Sequence, residues 1–320
     1  MDSITHAASG ALLGMAVGQW VLPEAIVSCI AIGTIAGSLP DLDFLAELRG
    51  KVAAWKYHRI LTHNIPVAFL LTLLLACLAS YSLSLPFTVA LILCVGATAL
   101  HLLLDVLTSF GTCLWYPFTT KRYSTRSHFI VDPFVLGLCL YGLFSTYAWQ
   151  YLFALMLYIS FSLIVKSMMQ VFIGSRLPVG LNRKNLRLEP IFLAPFRWLV
   201  IVNTGEGYVY CYRNLMWQSP WYSRNHECEE FEDLCLQHDL MRYVLKTFDM
   251  PLFKFRTYEN GYFLVVEDLK WRSEPGLRPL AFTLKLQQEK QQWKIVEATQ
   301  GGFFQRSDSA FFEPPEKWIR

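Results

Sequence analysis

Charge is scarce in this sequence. Only 17% of its 320 residues are Asp, Glu, Lys or Arg, whereas 54% are hydrophobic and 15% are aromatic. This composition is too apolar for an ordinary soluble protein. The net charge is only +3 and the basic residues form no long stripe, so the electrostatic pattern of a nucleic-acid-binding protein is lacking. We therefore expect a membrane protein that does not bind nucleic acid.

Several familiar motifs are also lacking. There is no Lys or Arg between Met1 and Leu48, so the positive region of a secretory signal peptide is missing and we expect the first apolar segment to be retained. The eight cysteines show no CxxC spacing, which indicates buried thiols in a reducing compartment. The sequence contains neither a Gly-x-Ser-x-Gly elbow nor a Walker loop, so serine hydrolysis and nucleotide-driven transport lack support.

Long apolar segments are abundant in residues 1–175. Residues 7–39 are rich in Gly, Ala and Ser and are interrupted at Leu22-Pro23-Glu24, which indicates two short, closely packed helices. Four more helices are expected over residues 65–83, 87–109, 134–149 and 151–171. The fold class is therefore predicted to be mainly α, with a polytopic membrane domain of about six helices.

The basic residues predict the orientation of these helices. If all six helices cross, residues 40–64, 111–133 and everything after residue 173 lie on the same side as the amino terminus. The basic residues of the two connecting segments then share that side: Arg49, Lys51, Lys56, Arg59, Lys121, Arg122 and Arg126. The opposite turns, 21–24, 80–86 and 147–151, contain no Lys or Arg. The positive-inside rule thus predicts a multi-pass plasma-membrane protein with cytoplasmic termini.

Residues 176–320 differ in character and are predicted to form a small cytoplasmic α+β domain. Period-two alternation indicates strands at residues 199–202, 208–212, 261–266 and 280–286. Apolar spacing predicts a helix over residues 229–250. Trp217, Trp221 and Tyr222 are interpreted as core aromatics of this domain, with a binding surface as the alternative.

Metal-ligand side chains gather at the ends of the predicted membrane helices. His101 and Asp105 are four residues apart, so they share one helical face. Asp41 and Asp43 follow a predicted helix, where carboxylates oppose the helix dipole unless a cation compensates them. The complete set lies at one predicted membrane level: His6, Asp41, Asp43, His58, His63, His101, Asp105 and Asp132.

Ordinary structural roles are the alternatives to this site. Asp132 precedes Pro133 and matches a helix N-cap followed by proline at the first helical position. His6 could be an interfacial residue, and Asp41 and Asp43 a solvated helix end. A location on one side of the membrane favours a site, because unrelated polar residues would scatter over both faces.

The ligand types indicate hydrolytic chemistry. Four histidines and four carboxylates exceed the needs of one tetrahedral zinc, so we predict one or two divalent ions, Zn or Mn with Fe left open. Such a site activates water for attack on an ester or phosphoester. Asp43 and Arg59 are the predicted catalytic residues, with the Arg59 guanidinium available to hold an anionic group.

Five motifs in order resemble a known family. They are the amino-terminal Met1-Asp2-Ser3-Ile4-Thr5-His6, then Pro40-Asp41-Leu42-Asp43, His58-Arg59-Ile60-Leu61-Thr62-His63, His101-Leu102-Leu103-Leu104-Asp105 and Asp132-Pro133. Together they resemble the YdjM/YbcI family of bacterial inner-membrane proteins, assigned as metal-dependent hydrolases and sometimes labelled LexA-binding. The match covers roughly residues 1–140. The resemblance implies a bacterial inner-membrane hydrolase whose metal ligands are the matching His and Asp positions.

We therefore predict a membrane-bound, metal-dependent hydrolase that cleaves an ester or phosphoester at the cytoplasmic membrane face. Membrane lipids and a small or lipid-linked substrate are its expected partners, and the sequence does not specify an oligomeric state. Two alternatives stay open. The first is an ion-coupled transporter with an Asp and His relay. The second is a non-catalytic membrane anchor whose carboxy-terminal domain binds a partner.

Overall fold

The computed structural model describes residues 1–50, 52–53, 57, 59–225, 231–258, 261–271, 281–289, 292–300 and 317–319. The chain forms two compact units, Met1–Ser167 and Met168–Arg320. The first is built from helices and their connections, and the second contains the β-strands. The domain boundary predicted at residues 175 and 176 stays a prediction.

The helices of the first unit begin at recognisable sequence signals. They are α1 (Ser3–Val21), α2 (Ile26–Ser38), α3 (Ile65–Leu83), α4 (Phe87–Leu107), α5 (Pro133–Leu143) and α6 (Ala148–Gly174), which continues into the second unit. A 3₁₀ helix, Leu39–Arg49, follows α2 directly. Asp2, Asn64 and Asp132 cap α1, α3 and α5 by accepting hydrogen bonds from backbone N–H groups of the first turn.

Glycines allow α1 and α2 to pack backbone against backbone. A Cβ atom on Gly10 would overlap the carbonyl group of Gly33, and one on Gly37 would lie 2.7 Å from the carbonyl oxygen of His6. This confirms the prediction of two closely packed helices interrupted at Leu22–Glu24. The antiparallel arrangement places the beginning of α1 beside the end of α2.

Four stretches of the described chain are long and apolar enough to cross a membrane: Pro23–Ala46, Ile65–Leu83, Phe87–Leu107 and Ala148–Gly174. We expected about six spanning helices, and four stretches of the described chain meet the criteria of length and composition. Helix α5 has 11 residues, which rise about 16 Å and thus cover about half of a 30 Å hydrocarbon layer. Helix α1 is 19 residues long but contains several polar residues and buries ten of its residues.

The boundary between α5 and α6 also differs from the prediction. Helix α5 ends at Leu143 instead of residue 149, and α6 begins at Ala148 instead of residue 151. Gln19 at the end of α1 donates to the carbonyl of Ser145 (2.8 Å) and accepts from the N–H of Ala148 (2.9 Å). These bonds satisfy backbone groups that helix ends leave unpaired, so a distant contact stabilises the turn.

Two antiparallel sheets make up most of the described part of the second unit. One has the order β1-β2-β3-β4-β9, formed by Leu186–Ile191, Ala194–Asn203, Gly207–Asn214, Trp221–Asn225 and Lys317–Ile319. The other has the order β5-β6-β7-β8, formed by Pro251–Tyr258, Gly261–Asp268, Ala281–Glu289 and Gln292–Gln300. The strands predicted at 199–202, 208–212 and 261–266 lie within β2, β3 and β6. The fourth, 280–286, matches β7 except for residue 280, which is outside the described residues.

The helix predicted over residues 229–250 is two short helices in the described residues, α7 (Glu232–Gln237) and α8 (Asp239–Thr247). Residues 229 and 230 lie outside the described part of the chain. His238 separates the two helices because its backbone is extended and its imidazole accepts a hydrogen bond from the N–H of Met241 as the N-cap of α8. Local capping therefore overrides the continuous apolar spacing.

Candidate metal centre

Four parts of the chain meet where α1 begins and where α2 and α4 end. Helix α1 contributes its first turn, the 3₁₀ helix its start, α4 its last two turns, and the fourth part is the turn before α3. They bring together six of the predicted ligands: His6, Asp41, Asp43, His63, His101 and Asp105. The structure thus places these six side chains together, and their role as metal ligands stays a prediction.

Asp105 lies at the middle of the cluster and is completely buried. Its Oδ1 atom accepts a hydrogen bond from the α-amino group of Met1 and lies 3.1 Å from Nε2 of His6. Its Oδ2 atom lies 3.2 Å from Nε2 of His63 and 3.6 Å from Nε2 of His101. The two oxygens of one carboxylate thus face two different sets of imidazoles.

The orientation of His101 is determined by a backbone carbonyl. Its Nδ1–H donates to the carbonyl oxygen of Gly37 at 2.6 Å, so its Nε2 atom carries the free lone pair. That atom is 3.2 Å from Nε2 of His63 and 3.8 Å from Oδ1 of Asp41. The His101 ring also stacks on His6, with ring centroids 3.6 Å apart. His101 can therefore present a metal-binding nitrogen to its neighbours.

His63 is held between carboxylates on both of its nitrogens. Nε2 lies 3.5 Å from Oδ1 of Asp41, and Nδ1 lies 3.3 Å from Oδ2 of Asp43. Asp43 therefore contacts the side of the ring that faces away from Asp105. This is the usual place for a carboxylate that orients a metal-binding histidine from outside the ligand set.

Two overlapping groups have ligand atoms close enough to hold an ion, with all atoms of a group within 4.8 Å of one another. The first group is His6, His101 and Asp105, and the second is Asp41, His63 and His101. Oδ2 of Asp105 and Oδ2 of Asp41 have no hydrogen-bond partner within the described structure. Buried polar atoms are normally hydrogen-bonded. Oδ2 of Asp105, which lies 3.2 Å from Nε2 of His63 and 3.6 Å from Nε2 of His101, therefore fits a shared cation.

Arg59 is bonded on several sides. Its guanidinium donates to the hydroxyl of Thr108 (3.0 Å) and to the carbonyl of Met1 (2.9 Å), and it pairs with Oδ1 of Asp105 (3.0 Å). Its backbone N–H donates to Asp43 at 2.6 Å, in a left-handed conformation with φ 55°. The side chain is 5% exposed. The guanidinium predicted to bind an anionic group is thus occupied by groups of the protein.

The carboxylates retain a proton on His63. Burial disfavours the charged imidazole, but the neighbouring carboxylates of Asp105, Asp41 and Asp43 raise the pKa of His63 to about 10. Burial lowers the pKa of the Met1 α-amino group to about 6, against the opposing influence of Asp105. An ion binding at His63 would displace its proton, because imidazole binds metals in the neutral form.

Two predicted ligands are not part of either group. Asp132 caps α5 with Oδ1, which accepts from the N–H groups of Phe134 and Val135. Its Oδ2 atom accepts a hydrogen bond from the Tyr158 hydroxyl at 2.9 Å. The alternative reading of Asp132 as an N-cap is thus confirmed, and its role as a ligand stays a prediction. His58 lies outside the described residues.

Sequence reasoning missed three groups that contact the site: the α-amino group of Met1, the carbonyl of Gly37 and the hydroxyl of Thr108. The α-amino group of Met1 and the carbonyl of Gly37 belong to the main chain, so a pattern of residue types does not reveal them. One sequence signal could have indicated Gly37. Gly33 and Gly37 are four residues apart on α2, and both pack against Gly10 of α1, where the two helices come close.

Fold and site together define a helical membrane protein with a buried cluster of histidine and aspartate at its helix ends. Residues 1–173 match the family model described as YdjM inner membrane protein. The chain belongs to this family, which confirms the resemblance inferred from the five motifs.

One relative is the uncharacterized protein YfhP of Bacillus subtilis (strain 168). It is 31% identical over 140 residues, which cover 42% of this chain and 43% of the relative. The chain thus aligns with less than half the length of this relative. No solved structure matches the chain.

Proposed function

We propose that this protein is a membrane-bound, metal-dependent hydrolase that cleaves an ester or phosphoester at the cytoplasmic face of the bacterial inner membrane. The observation that carries the proposal is a pair of ligand groups that share His101, one containing Asp105 and the other containing His63, which lies 3.2 Å from the same Asp105 carboxylate. Mixed imidazole and carboxylate ligands suit Zn or Mn. Ionisable residues buried at the ends of membrane helices are energetically costly, and they usually mark functional sites.

The residues that would hold one or two ions are His6, Asp41, His63, His101 and Asp105. A divalent ion bound there supplies Lewis-acid chemistry, because it polarises a carbonyl or phosphoryl oxygen and makes water more acidic. Asp105 would serve both groups through its separate oxygens. Because His101 belongs to both groups, the two groups should gain and lose their ions together.

Three contacts give the ligands their orientation. The Gly37 carbonyl fixes the tautomer of His101, and the Asp43 carboxylate lies 3.3 Å from Nδ1 of His63. Arg59 holds Oδ1 of Asp105, so that Oδ2 faces the two imidazoles. We therefore assign Asp43 and Arg59 as positioning residues, since their polar atoms bond to the ligands and to the backbone.

Access to the cluster is proposed to be at Asp41. The Asp41 side chain is 19% exposed, whereas those of His63, His101 and Asp105 are 1% exposed or less. The 3₁₀ helix after Asp41 exposes Leu42, Phe44 and Leu45. An apolar rim beside a polar ligand suits a membrane-associated substrate with an apolar tail and an ester or phosphoester head.

We also propose that the chain crosses the membrane six times, with both termini cytoplasmic. Helices α1 and α2 are antiparallel partners, so α1 covers the same depth as the apolar stretch that includes α2. The N–H of Asp2 donates to Ile130, and Gln19 bonds to Ser145, so the α5 segment begins and ends at the same levels as α1. Six crossings place the basic connecting segments on one side.

Metal analysis of the purified protein tests the ligand assignment. We expect the wild-type chain to retain one or two divalent ions and His101→Gln to lose them, because His101 belongs to both groups. His128→Gln is the matched control, since His128 is also buried but belongs to neither group. Metal-free wild-type protein, or equal metal content in both variants, would contradict the proposal.

Hydrolysis is tested with chromogenic phosphodiester and carboxylic ester substrates. Chelation should reduce the rate about 100-fold or more, and addition of Zn or Mn should restore it, because the ion contributes several kcal/mol of transition-state stabilisation. If the metal-loaded protein hydrolysed neither substrate class, the hydrolase proposal would be rejected, whereas the metal-centre proposal would stand.

The transport alternative requires ionisable side chains that continue from the cluster into the spanning helices. The buried polar pair between α3 and α4 consists of the Thr72 and Thr98 hydroxyls, which bond to each other at 3.0 Å. Neither group is ionisable, whereas a proton or ion relay uses charged side chains. The transporter and the partner-binding anchor stay predictions.

A further inference from the structure

The turn between β3 and β4 exposes three consecutive apolar side chains. Leu215 is 55% exposed, Met216 is 96% exposed and Trp217 is 50% exposed. The prediction that Trp217 belongs to the core is therefore wrong, although Tyr222 on β4 does pack against the core. Clustered exposed apolar residues usually indicate an interaction site.

Hydrogen bonds within the turn hold it in one conformation. Oδ1 of Asn214 accepts hydrogen bonds from the N–H groups of Met216 (2.8 Å) and Trp217 (2.6 Å), and the N–H of Asn214 donates to the carbonyl of Trp217 (2.9 Å). These polar groups are satisfied within the turn, so little unpaired backbone would be transferred if the tip left water.

The turn lies close to the end of the membrane-crossing helix α6. Arg213, just before the turn, places its guanidinium carbon 5.0 Å from the ring centroid of Phe172, and Arg176 places its own 4.1 Å from the same ring. Arg183 passes so close to Gly174 that a Cβ there would lie 2.7 Å from its Nε atom. Three arginines therefore surround the last turn of α6.

We propose that Leu215–Trp217 inserts into the interface of the bilayer that α6 crosses, with Arg176, Arg183 and Arg213 at the level of anionic lipid headgroups. Tryptophan prefers the membrane interface, and basic residues next to a spanning helix attract anionic lipids. Because α6 enters the bilayer at this point, the surface nearest to the tip is lipid. The inference is independent of the hydrolase proposal.

Lipid quenching in nanodiscs tests the insertion. Met216→Cys is made in the full chain with Cys77→Ser and Cys228→Ser and is labelled with an environment-sensitive fluorophore. Cys77 is an exposed cysteine, and Cys228 lies outside the described residues. Glu206→Cys is the matched control, because Glu206 is exposed at the opposite end of β3. We expect doxyl-lipid quenching at position 216 to be about twofold or more above that at position 206.

Lipid charge provides the second readout. In anionic nanodiscs Arg176→Gln should reduce the quenching at position 216, whereas in zwitterionic nanodiscs it should have little effect. Equal quenching at positions 216 and 206 would overturn the proposal. The proposal would also be overturned if the label at position 216 reported an apolar environment that depended on protein concentration and not on the quencher lipid. That result would indicate contact with a second copy of the chain.

Discussion

Asp105 is the residue on which the candidate metal centre depends most, since its two carboxylate oxygens face different partners. Oδ1 contacts His6 and Arg59, and Oδ2 faces the Nε2 atoms of His63 and His101. A single carboxylate can therefore serve both ligand groups only if its rotamer is fixed. The buried pair with Arg59 supplies that constraint, because breaking a buried ion pair is costly.

At Asp132 the cap and the ligand roles can be separated. Asp132→Ala removes the acceptor for two N–H groups of α5 and should lower the free energy of unfolding by about 1 kcal/mol. Asp132→Asn keeps a good N-cap and should melt close to the wild-type temperature. Thermal melts in detergent measure both.

The metal content of Asp132→Asn then decides the open prediction. Retained metal limits Asp132 to capping, and loss of metal at an unchanged melting temperature would support its role as a ligand.

Residue types and their spacing were sufficient to predict which side chains of the candidate site lie close together. His101 and Asp105 four residues apart, and Asp41 after a helix end, are local patterns that survive in the structure. The different contributions of Asp43 and Arg59 were not predictable. They follow from which atom of His63 or Asp105 each side chain contacts, and this depends on four separate chain segments.

At the level of elements, the α1–α2 interface and the site are mechanically connected. The glycine contacts bring Gly37 to the beginning of α1, and the Gly37 carbonyl in turn holds His101 of α4. The packing of small residues thus determines where an imidazole of another helix points. This is why a site distributed over four segments can have defined geometry.

Gly33→Ala tests this connection. Its Cβ would overlap the carbonyl group of Gly10, so α1 and α2 must separate at a cost of about 1–3 kcal/mol. We expect a lower melting temperature together with reduced metal content. Gly137→Ala in α5 is the control, because nothing lies within 4 Å of its added Cβ. Equal melting and metal content in the two variants would disconnect the interface from the site.

Helix existence was easier to predict than helix ends. Long apolar runs indicated α3 and α4 with nearly correct bounds, because nothing but the hydrophobic stretch and a cap determines them. The end of α5 depends on Gln19, and the break between α7 and α8 depends on the conformation of His238. Both are decided by individual hydrogen bonds, and periodicity does not report them.

For the whole molecule, two membrane topologies are compared: four crossings by the long apolar stretches, and six crossings that also include α1 and the α5 segment. Crossing by only the four long apolar stretches would put the second unit and the segment after α4 on opposite sides. Six crossings put them on the same side, because α1 and the α5 segment then also traverse the membrane. Our proposal of six crossings relies on the contact between Gln19 and Ser145 and on the lack of basic residues in the turns of the opposite side.

Cysteine accessibility separates these topologies. Ser82→Cys, Lys121→Cys and Glu206→Cys are each placed in a chain that carries Cys77→Ser and Cys228→Ser. These exposed positions lie in the last turn of α3, after α4 and in the second unit. In intact spheroplasts an impermeant maleimide should label only position 82, because six crossings leave the other two in the cytoplasm. Permeabilised cells, where all three should react, provide the control. Labelling of position 206 together with position 82 in intact spheroplasts would instead establish four crossings and place the second unit outside.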